Sequence, residues 1–149
     1  MSRTYHFGLG TRIVNTIFRL MTRFGLGAKY RYMLSVPGRV TGKIRSTPVD
    51  VMSEAGRRWL VAAYGPSAWV SNARAAGGVT LSRGGRTEKV RVSELGVEES
   101  VPVLRKYIRE VPVTRPYFDA GPDSPDDVVA REVARHPVFE VLPYSEPGS

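Results

Sequence analysis

The chain reads as an antiparallel β-barrel of mainly-β or α+β class, on three observations. Short β-rich runs recur between residues 31 and 142, five or six in all. Hairpin chemistry separates them: Pro37-Gly38, Glu54-Ala55-Gly56-Arg57 and Arg83-Gly84-Gly85-Arg86 are turn sequences of the kind that join neighbouring antiparallel strands. Helical periodicity is confined to the N-terminal part, one short central stretch and the last third, so helices lie around the sheet and do not alternate with its strands.

Taken in order, Thr11–Phe24 carries the clearest helical pattern. Ile13, Ile17, Leu20 and Phe24 make one apolar stripe, widened by Val14, Phe18 and Met21, while Arg12, Arg19 and Arg23 share another face. Gly25 and Gly27 then stop it. Such a helix covers the open end of a barrel or lies on an anionic membrane surface, and the covering role is the preferred reading. Its apolar run is broken by arginines, too short for the roughly 20 residues of a bilayer span and without a clean signal-peptide cleavage site.

Strands follow over Arg31–Val36 and Ile44–Ser53, the second containing Pro48, which suggests an edge or a bulge. Arg58–Tyr64 is nearly continuous in apolar residues and therefore central. Ser67 as N-cap and Gly77 as stop frame a helix of about two turns. Val79–Ser82 and Thr87–Leu95 form a hairpin, the second with a basic face of Thr87, Lys89, Arg91 and Ser93. Val97–Val111 is a helix with Pro102 in its first turns, Thr114–Pro125 is irregular, Ser124 caps a third helix ending at Arg135, and Val138–Leu142 is the last strand. A single domain over residues 1–149 is expected, with an N-terminal helical segment over 1–30 and a polar, frayed tail over 143–149.

Composition narrows the chemistry. The 149 residues carry a net charge of +8, so an anionic partner is expected: nucleic acid, an acidic membrane surface, or a phosphorylated or carboxylated small molecule. There is no cysteine, which removes disulfides, iron–sulfur clusters and thiol catalysis and fits a cytoplasmic protein. Two histidines, His6 and His136, cannot build a metal site. His136, just before the last strand, reads as a surface or packing residue. With so little acid–base equipment, an enzyme built on this chain would leave the reaction to a bound cofactor.

The most informative stretch runs from Leu34 to Asn72. Its turn, Gly38-Arg39-Val40-Thr41-Gly42-Lys43-Ile44-Arg45, offers two glycines, a set of backbone amides and three cations to an anion. A solvated basic hairpin loop would have the same composition, and residue types alone do not separate the two. The turn is not a P-loop: the glycine spacing is one short and Ile44 stands where Ser or Thr is required. Gly65-Pro66-Ser67-Ala68-Trp69 is not a nucleophile elbow, since its last glycine is missing and no base is placed to serve Ser67.

Gly38-Arg39-Val40-Thr41-Gly42, Arg45-Ser46-Thr47-Pro48-Val49, Val61-Ala62-Ala63-Tyr64-Gly65, Trp69-Val70-Ser71-Asn72-Ala73-Arg74-Ala75 and Val79-Thr80-Leu81 follow one another in an order that resembles the deazaflavin-dependent nitroreductase family. These are actinobacterial split β-barrel proteins that bind coenzyme F420, and the likeness covers roughly residues 34–92. It implies a split barrel in which a reduced deazaflavin gives a hydride to a quinone, a nitro compound or another activated double bond. By position, Arg39, Thr41, Gly42, Lys43 and Arg45 would hold the cofactor's phosphate and oligoglutamate tail. Pro48, Val49, Ala62, Ala63, Tyr64 and Gly65 would line its ring and ribityl chain. Trp69, Asn72 and Arg74 would close the site, with core packing the other role open to Trp69. Tyr117 is the candidate proton donor or substrate orienter, and no metal is implied.

Three departures from the family pattern stand out. Val40 replaces a common basic residue, the link before Trp69 is shortened to Pro66-Ser67 and so loses a lysine, and Ala120 occupies the place of a second late tyrosine. FMN is the alternative cofactor, and a quinone- or lipid-binding barrel without turnover is the alternative function. A nucleic-acid-binding barrel ranks third, because the basic face of Thr87, Lys89, Arg91 and Ser93 has no aromatic to stack on bases. The resemblance also implies a homodimer. The expected location is the cytoplasm, with membrane contact through the first helix as the variant.

Overall fold

Six antiparallel strands occur in the computed structural model, which describes residues 30–144; the expected helix over residues 11–24 and the last five residues lie outside the described residues. The strands are β1 (Arg31–Pro37), β2 (Ile44–Glu54), β3 (Arg57–Val61), β4 (Gly78–Arg83), β5 (Arg86–Glu94) and β6 (Val138–Pro143). Their order is β1-β2-β3-β6-β5-β4, with β1 bonded to β4 so that the barrel closes. Among the described residues three helices lie around it, α1 (Ala68–Ala76), α2 (Val97–Glu110) and α3 (Asp126–Glu132), with a 3-10 helix over Pro112–Tyr117. The architecture is the split β-barrel that the motifs implied.

Two hairpins are tight because their central residues adopt the left-handed conformation that matches strand twist. Ala55 and Gly56 have φ of 52° and 80°, and Gly84 and Gly85 have 57° and 82°. Strand alternation then sorts side chains into two cores. Leu34, Val49, Val51, Leu60, Leu81, Val90 and Phe139 fill the barrel, together with Val70 and Ala73 of α1. Met52, Trp59, Val61, Ala63 and Val138 face outward and pack under α2 and α3, against Val103, Leu104, Tyr107, Ile108 and Val129.

Three boundaries differ from the sequence expectation. β3 ends at Val61, three residues before Tyr64: Ala62 N–H still bonds Pro137 O at 3.0 Å, but Ala63 N–H turns back to Val61 O, and the chain leaves the sheet. Ser124 does not cap α3, which starts two residues later behind Pro125; its Oγ accepts the Gly121 amide at 2.8 Å inside a turn. Helix α3 also stops at Glu132, with Arg135 and His136 amides both folding back to Glu132 O. The stretch expected to be irregular from Thr114 opens inside a 3-10 helix over Pro112–Tyr117; the other elements lie within one or two residues of their expected limits, and Gly77 (φ 72°) ends α1 as expected.

β2 is longer than either neighbour's reach. It pairs with β1 from Ile44 to Asp50 and with β3 only from Asp50 to Glu54. Asp50 sits where the two pairings overlap, and its side chain points to the outer core. Arg31, its direct cross-strand partner, donates from Nε to Oδ1 at 2.7 Å, and Tyr107 of α2 donates from its hydroxyl to Oδ2 at 2.5 Å. Burial and the adjacent carboxylate push the Tyr107 phenol well above its ordinary value, so it remains a donor. Tyr107→Phe should therefore lower stability by about 1–3 kcal/mol, the cost of leaving one oxygen of a buried carboxylate without a donor, read from urea unfolding curves with unchanged slope. Wild-type stability in the variant would show that Asp50 does not depend on this bond.

Candidate functional site

The early end of β3 leaves the first half of β2 without a partner on that side, and a cavity of about 820 Å³ opens there. One side is the β1–β2 turn, with Gly38, Arg39, Thr41 and Arg45; the floor is Pro48, Val49, Val61 and Ala63. Tyr64 and Tyr117 stand on another side, and α1 contributes Trp69 and Asn72. A mouth of cations above an apolar floor suits a flat ring with an anionic tail.

The turn is rigid for a specific reason. Its Gly38 amide bonds Lys43 O at 2.8 Å, the Gly42 amide bonds Gly38 O at 2.9 Å and the Lys43 amide bonds Thr41 Oγ1 at 3.3 Å. Gly42 has φ of 74°, which a side chain tolerates poorly. Arg39 is fixed from α1: its amide and its Nη1 both donate to Asn72 Oδ1, each at 3.0 Å. Four amides of the expected anion-binding concavity are thus spent within the turn or on Asn72. What the turn offers an anion is side-chain charge. Among the described residues, Arg39, Lys43 and Arg45 enter no ion pair, as is true away from the cavity of Arg86, Lys89, Arg91, Arg109 and Arg115, whereas Arg57, Arg58, Arg74, Arg105, Arg131 and Arg135 are each matched with a carboxylate.

Of the residues singled out in the sequence, Arg39, Thr41, Arg45, Pro48, Val49, Ala63, Tyr64, Trp69, Asn72 and Tyr117 come together around this cavity. Gly42 and Lys43 belong to the turn but not to the cavity wall. Ala62 alternates into the barrel core, Gly65 is a turn residue behind Tyr64 with φ of 98°, and Arg74 points away into a two-bond ion pair with Glu94 at 2.7–2.8 Å. Asn72 is buried and anchors the turn. Trp69 does two things, lining the cavity and packing on Phe139 at 5.8 Å between ring centroids. The Tyr64 and Tyr117 rings meet edge to face at 5.0 Å.

Sequence reasoning passed over Arg31, Ser46, Thr47 and Asp50, all on the wall. Asp50 did leave a signal: it is an acid flanked by valines at the apolar centre of a strand, and buried acids come with partners. Nothing local could have named the partners, because Tyr107 lies 57 residues away. Among the described residues no three His, Cys, Asp or Glu side chains converge as a metal site, and no helix is long and apolar enough to cross a membrane.

Comparison with known proteins follows the same lines. An F420-H2 dependent reductase (FDR-A) shares 21% identity over 76% of this chain and 94% of its own, with a TM-score of 0.53. A structure described as a domain-swapped dimer matches 90% of this chain and 99% of its own at 19% identity and TM-score 0.56. A FAD-binding protein from Mesorhizobium loti shares the fold at 14% identity, 79% and 83% coverage and TM-score 0.51. At these identities the likeness is one of fold. No curated protein matches the sequence. The family model for F420H(2)-dependent quinone reductase matches residues 12–121, which include every side chain described at the cavity, and the chain belongs to that family of F420-dependent oxidoreductases.

Proposed function

We propose that this chain binds coenzyme F420 in the cavity beside β2 and passes a hydride from it to a small organic acceptor such as a quinone, a nitro compound or another activated double bond. The observation that carries the reading is the set of ion-pair-free cations at the cavity mouth, one of them, Arg39, oriented by the buried Asn72. A polyanionic tail placed there would meet charges that no carboxylate of the described residues neutralises, and the uncharged floor of Pro48, Val49 and Ala63 suits the ring. The cofactor, when bound, supplies the hydride from its ring carbon. The chain's part is to bind, to orient and to exclude water.

Within that reading Arg39 and Arg45 hold the phosphate and tail, with Lys43 adding charge from the turn. Trp69 covers the ring from α1. The half-buried Tyr117, turned edge-on to Tyr64, stands at the cavity with a phenol hydroxyl. It donates a proton or hydrogen bond to the acceptor oxygen as negative charge develops there. Peripheral membrane contact through the expected N-terminal helix and assembly as a homodimer are further parts of the proposal.

Titration of the protein with F420 and, in parallel, with FMN is the direct test. Saturable binding of F420 is expected; saturable binding of FMN alone would keep the fold and replace the cofactor. Arg39→Ala should weaken F420 binding about 10- to 100-fold, the worth of one or two charge-assisted bonds, with a thermal midpoint close to wild type. Unchanged affinity would remove the turn from the site. Tyr117→Phe preserves the contact with Tyr64 and should lower turnover about 10-fold or more at nearly constant F420 affinity. Wild-type turnover would exclude the phenol from proton donation.

A further inference from the structure

His136 follows α3 and is almost fully buried, with its ring stacked on Phe118 at 3.9 Å between centroids. Its two nitrogens face two main-chain carbonyls, one next to the wall residue Ala63 and one on the wall residue Tyr117. Nδ1 lies 3.0 Å from Ala62 O, just past the end of β3 and two residues before Tyr64. Nε2 lies 2.9 Å from Tyr117 O, at the end of the 3-10 helix. The imidazole therefore bridges the two chain segments that carry the cavity's tyrosines.

Glu132 completes the arrangement from the last turn of α3. Its Oε1 accepts the amides of Asp119 at 2.9 Å and Ala120 at 3.3 Å. Its Oε2 is buried without a hydrogen-bond partner and lies 3.4 Å from His136 Nε2. Residues 117–120 are thus held on α3 and its end by main-chain bonds to two buried side chains, with Arg135 adding an outer ion pair to Asp119 at 2.6 Å and a longer bond from Nη2 to Tyr117 O at 3.5 Å.

We propose that His136, oriented by Glu132, is a positioning residue for the acceptor side of the cavity: its Nε2–H donates to Tyr117 O and fixes where the Tyr117 phenol stands. The inference rests on the oxidoreductase reading for what the phenol does, but not for the tether itself. A carbonyl oxygen only accepts, so a neutral ring can serve one of its two carbonyls. Burial draws the imidazole below its ordinary pKa, against the pull of Ala62 O, Glu132 and Tyr117 O, which leaves one ring proton at neutral pH. Two oxygens face Nε2 and one faces Nδ1, and the Glu132 carboxylate is on the Nε2 side. The proton belongs on Nε2.

Two measurements test this. His6→Gln leaves His136 as the one histidine of the full chain, so its ring nitrogen shifts can be read by NMR without cofactor and without altering any described residue. A protonated Nε2 from pH 6 to 8 is expected; a ring protonated on Nδ1 alone would overturn the tether. The second measurement compares His136→Gln, whose amide can occupy the place of Nε2, with His136→Asn, whose amide can occupy the place of Nδ1. Both should bind F420 as wild type does. His136→Asn should raise the acceptor KM about 3- to 10-fold, the equivalent of one hydrogen bond, and His136→Gln should restore most of it. Equal KM in the two variants, or loss of F420 affinity in both, would reduce His136 to a core residue. If wild-type protein binds F420 but transfers no hydride, the function proposed above fails, and the nitrogen shifts still decide the tether.

Discussion

Asp50 is the residue on which the barrel and its outer layer depend together. It stands at the one position of β2 that pairs with both β1 and β3, and its carboxylate is buried. Removing a carboxylate from water costs several kcal/mol, which is offset only when both oxygens are well bonded. Arg31 and Tyr107 meet that need from opposite directions. The result is a polar joint that fixes the start of β1, the middle of β2 and the core face of α2 relative to one another. An apolar residue at position 50 could pack there without choosing a partner. The charge makes the register specific.

From that joint the site follows by geometry. From Asp50 to Glu54, β2 pairs with β3; from Ile44 to Asp50 it has β1 on one side and the cavity on the other. The turn at the far end is braced by Asn72 on α1, and the tyrosines opposite are braced from α3 and the residue after it. Each wall of the cavity is therefore anchored by a buried polar side chain outside the cation set: Asp50, Asn72 and His136. The cations themselves are exposed on the turn, where they can meet a charged tail without the desolvation cost of a buried guanidinium.

The sequence made the strands legible because hairpin chemistry and alternation are local. Ala55-Gly56 and Gly84-Gly85 can be read as turns from two residues each. The cations of the turn were legible for the same reason. Less local features were not. Arg74 shares α1 with Asn72 but falls on the face that meets Glu94, and only the packing of α1 on the barrel decides which face that is. Ala62 and Ala63 look alike in the sequence, yet strand parity sends one into the barrel and the other to the cavity. The true start of α3 was hidden because Ser124 has the right chemistry for a cap, and a nearer amide, that of Gly121, took its oxygen. His136 looked ordinary because both of its main-chain partners are far away in the chain.

Pro48 has a bearing on solubility. Val51 N–H bonds Tyr30 O, so by strand alternation the odd-numbered amides of β2 face β1 and the even-numbered positions face the unpaired side. Proline at 48 therefore costs no ladder bond, and it removes a donor from the stretch of β2 that has no β3 neighbour. An unpaired strand edge is a template on which a foreign strand can grow. With Pro48 in its middle, that edge cannot offer an unbroken row of donors. The opening beside β2 is thereby a poor template for another polypeptide strand.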